Sequence, residues 1–170
     1  MLHVWLSGVM LALSATGAFQ AADPTVASVK GTFDLAKGNI LKAAAQVPDD
    51  LYAFKPTPDV RSMGALFAHI ADANFMFCGA ASGDKPTMSG IEKEKTAKKD
   101  VMAALEASFT FCESAFTGMT GARANETVKF MLPGTHTRLG ILAFNNAHDF
   151  EHYGNVVTYM RLNKMSPGDQ

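Results

Sequence analysis

The chain predicts an all-α protein, a four-helix bundle. Three observations predict it: four long segments with apolar residues at helical spacing, turn-forming residues between them, and no convincing strand alternation. The first segment, Thr25 to about Val47, places Val26, Val29, Phe33, Ala36, Ile40, Leu41 and Ala44 on one face and stops at Pro48. Pro56 and Pro58 make Tyr52 to Asp59 a loop. Ser62 then caps a second helix, Met63 to about Ala81, with Leu66, Phe67, Ile70, Ala73 and Phe77 turned inward.

Gly83 to Gly90 is a further connection. The mixed-sign run from Glu92 to Lys99 reads as a solvated loop leading into the third helix, about Ala97 to Met119. Val101, Leu105, Phe109, Cys112 and Phe116 form its stripe, and Gly121 is the expected stop. Thr127 to Leu132 reads as a short extended piece before Pro133-Gly134. Thr137 caps the fourth helix, Arg138 to about Asn163.

Composition sets the outer bounds. At 170 residues the chain suits one domain with a sizeable core. A net charge of −1 and a pI near 6.5 argue against a nucleic-acid partner. The first 22 residues hold no Lys, Arg, Asp or Glu, and Val4 to Leu13 is an apolar core followed by small residues. That pattern is a secretory signal peptide, too short to span a bilayer, with cleavage expected after Ala18, Ala21 or Ala22. Residues 23–170 then form an exported bundle domain, periplasmic or extracellular, with no membrane span in the mature chain. Cys78 and Cys112 are too few for a disulfide scaffold; one bridge or two buried thiols are both compatible with their spacing.

The chemistry-bearing residues are histidines. His148 and His152 lie four apart on the fourth helix, which stacks them about 6 Å apart on one face. Two imidazoles at that spacing converge on one metal ion, and His69 on the second helix supplies a third. With about 100° per residue, Ile141, Phe144, Asn145, His152, Asn155, Tyr159 and Leu162 fall within about 60° of His148. The pair therefore points into the bundle, where coordination would satisfy polar groups that burial otherwise penalises. Asn145, Asn155 and Tyr159 are candidates to orient an imidazole or a ligand. The segment is not a zincin HExxH, because Asp149 stands in the glutamate position and no metzincin extension follows. Spacing nominates no single base among Glu151, Asp149 and Asp72.

The stretches Arg61-Ser62-Met63-Gly64-Ala65-Leu66-Phe67-Ala68-His69-Ile70-Ala71-Asp72 and His148-Asp149-Phe150-Glu151-His152-Tyr153-Gly154-Asn155, continuing to Tyr159-Met160-Arg161-Leu162, resemble the DinB-like (DinB/YfiT-like) family of small metal-binding four-helix bundles. The likeness runs from about Thr25 to Pro167. It implies a divalent metal cation, most often zinc or nickel, held by His69, His148 and His152, with remaining positions open to water or a small-molecule substrate. It also implies homodimers as a common assembly, and thiol-dependent transfer as the activity of some members. An exported chain would meet few low-molecular-weight thiols. Two readings follow: a metalloenzyme of transferase or hydrolase type, or a non-catalytic metal-stabilised bundle acting as a binding or stress-related module.

Overall fold

The computed structural model describes residues 23–85, 87–131 and 133–167; the apolar stretch 1–22 and its expected cleavage sites lie outside them. In chain order the helices are α1 (Pro24–Gln46), α2 (Met63–Ser82), α3 (Ile91–Glu94), α4 (Lys98–Phe116), α5 (Gly121–Ala124) and α6 (Arg138–Leu162). A 3-10 turn, Asp49–Ala53, follows α1. Two short strands, β1 (Thr127–Val128) and β2 (His136–Thr137), pair antiparallel with Val128 opposite His136.

Local chemistry starts three of the four long helices, α1, α2 and α6, near the expected residue. Asp23 accepts from Thr25 N and Val26 N ahead of Pro24, Ser62 Oγ accepts from Ala65 N, and Thr137 Oγ1 accepts from Gly140 N. The α2 helix ends at Gly83, whose φ of 87° suits a residue without Cβ. The third long helix stops at Phe116 rather than running on to Met119. Gly118 takes the left-handed conformation there (φ 75°), and Gly121, expected as the stop, instead opens α5 under the Thr120 cap. The piece from Thr127 is extended as expected, but it forms a ladder with β2 that single-strand patterning did not reveal.

Helix α2 packs most extensively on α4 and then on α6, while α1 packs on α6 and α4. Going round the bundle the order is therefore α1, α4, α2, α6, and α2 is buried along most of its length. Its small residues Gly64, Ala68, Ala71, Gly79 and Ala81 are all buried. Phe33, Phe67, Phe75, Phe109, Ile40 and Leu105 are among the largest fully buried side chains. Cys78 of α2 and Cys112 of α4 are joined in a disulfide with their Cα atoms 5.1 Å apart, so the bridged alternative holds. No helix among the described residues is long and apolar enough to cross a membrane.

Candidate metal centre

The interface of α2 and α6 brings the three sequence-predicted histidines together. One ring nitrogen from each of His69, His148 and His152 lies within 4.8 Å of the others. The Nε2 atoms of His148 and His152 are 3.1 Å apart, as the i, i+4 spacing on α6 dictates. His69 reaches them from α2, its ring centroid 5.2 Å from His148 and 4.7 Å from His152. Imidazoles bound to a tetrahedral ion at about 2.0–2.1 Å hold their nitrogens about 3.3 Å apart. The His148–His152 pair is near that spacing, the three nitrogens together lie within 4.8 Å, and a donor set of three imidazoles could hold a divalent cation.

The electrostatics favour neutral rings. Burial pushes His148 down to about 4, helped by the positive charges of His152, His69 and Arg61. His152 is also lowered, by burial first and then by the charges of His69 and Arg61, which outweigh the opposing pull of Glu151 and Glu92. A neutral imidazole keeps the lone pair that a metal needs. The Nδ1 atoms of both rings are buried without a hydrogen-bond partner among the described residues. His69 differs, because its Nδ1 lies 2.9 Å from Glu92 Oε2.

Glu92 is the residue that sequence reading missed. The run expected as a solvated loop begins inside α3, and Glu92 turns back onto the site. Its Oε1 accepts from Arg61 Nε at 2.8 Å. Burial alone would raise the Glu92 carboxyl, but the hydrogen bonds and charges of Arg61 and His69 outweigh it and lower the net value. Asp72 explains the placement of α3: its two carboxylate oxygens accept from Ile91 N at 3.0 Å and Glu92 N at 2.9 Å. The only advance signal was Asp72 three residues beyond His69.

The buried stripe of α6 is centred to one side of His148 rather than on it. Ile141, Asn145, His152 and Tyr159 are buried as expected, whereas Phe144 is 43% and Leu162 60% exposed, and Asn155 is exposed too. The buried stripe instead includes Leu142, Asp149, Tyr153, Val156 and Met160. His148 and His152 thus sit at the edge of the stripe, where the bundle opens. The three candidate orienting residues divide accordingly. Asn145 donates to Asn74 Oδ1 at 2.8 Å and to Asp149 Oδ2 at 3.4 Å, in a buried network that continues from Asn74 to Ser108 on α4. Tyr159 donates to Arg61 O at 3.2 Å and so holds the start of α2. Asn155 lines a cleft.

That cleft has a volume of about 730 Å³; Lys55, Arg61, Glu92, Glu151, His152 and Asn155 are on its wall. On the other flank the Phe77 ring packs edge-on to His148 at 5.5 Å and contacts Phe130 and Phe144. Of the three acids left open by spacing, Asp72 is engaged with α3 and Asp149 is buried against Asn145; Glu151 faces the cleft.

Fold and site together define an all-α bundle with an imidazole triad at a helix interface. The DinB superfamily profile matches residues 32–156, and the chain belongs to that superfamily. Solved structures share the fold. A DinB-like protein from Bacillus cereus is 14% identical with a TM-score of 0.75, over 85% of this chain and 96% of that one. A DinB-like protein from Bacillus subtilis is 15% identical with a TM-score of 0.66, over 82% and 93%. A conserved protein from Enterococcus faecalis is 17% identical with a TM-score of 0.66, over 81% and 95%. No curated protein matches the chain significantly.

Proposed function

We propose that this protein is a divalent-metal-dependent enzyme of transferase or hydrolase type, using zinc or nickel held by His69, His148 and His152, and acting on a small polar molecule. The convergence of three ring nitrogens within 4.8 Å carries the reading, and the cleft reached through His152 favours catalysis over a purely structural ion. A bound cation supplies Lewis acidity to a coordinated oxygen or sulfur. The chain's own groups do the rest. Glu151 is the acid placed at the cleft to exchange a proton with a bound molecule, while Lys55, Arg61 and Asn155 offer polar contacts to orient it.

Export belongs to the same reading. It rests on the apolar segment of residues 1–22 and is supported by the Cys78–Cys112 bond, because disulfides persist in oxidising compartments.

Elemental analysis of the native protein tests the first half: about one zinc or nickel per chain is expected, falling sharply in His152→Ala. Native protein free of stoichiometric metal would end the proposal. Metal-loaded protein is then assayed against thiol-conjugation and hydrolysis substrates, with turnover expected to vanish in His152→Ala and to drop in Glu151→Gln. Silence across the panel at full occupancy would replace catalysis with a metal-stabilised binding module.

A further inference from the structure

We propose that Glu92 is a positioning residue that fixes the ring of His69, and that Asp72 and Arg61 act through it. The connection between α2 and α4 thereby becomes a supporting wall of the histidine cluster. The inference rests on the reading of the three histidines as ligands and adds the group that sets the geometry of one of them.

Helix α3 is a single turn that has little reason to form alone. Its N-cap position is Gly90 at φ 72°, and no side chain of its own segment caps it. Asp72 replaces that cap from another helix, taking both leading amides, Ile91 N and Glu92 N. Ile91, only 1% exposed, anchors the turn in the core. Glu92 follows directly and has little freedom left. Each of its carboxylate oxygens has one partner: Oε1 takes Arg61 Nε at 2.8 Å, and Oε2 takes His69 Nδ1 at 2.9 Å.

An acceptor-only carboxylate demands that Nδ1 carry the hydrogen, which leaves the lone pair of His69 on Nε2, the ring nitrogen that Glu92 does not engage. His148 and His152 have no equivalent, since their Nδ1 atoms lack partners among the described residues. They are instead held by consecutive turns of one helix. His69 alone comes from a different helix, and it alone has a carboxylate behind it. Asp72 lies one turn beyond His69 on α2, so ligand and anchor share one rigid element. A part-exposed ion pair contributes little to stability, so Glu92→Ala should stay folded and its effect on metal binding can be read directly.

The test uses the full chain at pH 8. Nitrogen-15 spectra of the metal-free protein should show His69 with its proton on Nδ1, and Glu92→Ala should turn it into a tautomer mixture. Zinc titrations against a competing chelator should show affinity falling about 10- to 100-fold in Glu92→Ala. Glu92→Gln, which keeps an acceptor, should recover part of the loss, and Asp72→Asn should weaken binding although it does not touch His69. A His69 proton on Nε2 in the wild type overturns the proposal, as does wild-type zinc affinity in Glu92→Ala with a folded spectrum. Absence of zinc binding by the wild type would instead strike the metal reading, and the tautomer measurement still decides the role of Glu92.

Discussion

The carboxyl of Asp149 is fully buried, and its nearest polar partner is the Asn145 amide at 3.4 Å. Burial raises it well above the ordinary carboxylate range, so the folded protein favours the neutral acid. The sign follows from proton counting. Between the unfolded value near 3.9 and the raised folded one, the native state binds the extra proton, so this residue's stabilising contribution is present at low pH and is lost as pH rises. Asp149→Asn removes the penalty without changing shape. Chemical denaturation at pH 7–8 should find the variant more stable than wild type by about 1–3 kcal/mol, with the gap closing towards pH 4. Equal stability at both pH values would show that the site accommodates the charge. Residue spacing alone did not separate Asp149 from Glu151, because the decision lies in which side of α6 the other helices cover.

At the scale of elements, Gly64 in the first turn of α2 decides how closely the 3-10 turn can approach. A Cβ there would sit 2.8 Å from the Tyr52 ring and 3.0 Å from its backbone oxygen. Replacing a helix glycine by alanine ordinarily stabilises by about 0.5–1 kcal/mol. Gly64→Ala should reverse that sign and destabilise by about 1–3 kcal/mol. Gly38→Ala, whose Cβ meets nothing within 4 Å, should follow the ordinary rule. Thermal melts of the two variants side by side check the contrast. The beginnings of α2 and α6 were legible because the caps Ser62 and Thr137 act on amides three residues away. So was the His148–His152 pair, whose geometry is a property of one helix. The third helix's end was misplaced because two glycines near it could each have stopped it. Glu92 was hidden for a related reason: its partners are Arg61 and His69, far off in sequence, and a charge run looks the same whether one member folds back or not.

For the whole molecule, the cluster joins α2 to α6 while the core joins all four long helices, so a bound ion would add to a fold that already exists. Metal at about 100 times its Kd stabilises by about 2.7 kcal/mol, which for a domain of this size is roughly 5–10 °C in melting temperature. Calorimetry with and without chelator should show that difference, and the chelated protein should still melt cooperatively. A chelated protein without a transition would mean that the ion is needed for folding, as in small zinc modules. Bundle class was legible at this scale because long amphipathic segments allow few arrangements. The helix order round the bundle and the cystine were not, since both depend on which faces meet.

The bond between Cys78 and Cys112 turns the stretch between them into a closed ring of chain, and Glu92 rides on that ring. When the helices loosen locally, a ring tied at both ends sweeps out far less space than an open strand. The carboxylate behind His69 is therefore carried on a segment tied at both ends, which has fewer conformations open to it than a free strand. A covalent tie deep between two helices thus reaches, through the chain it encloses, to the carboxylate that meets His69.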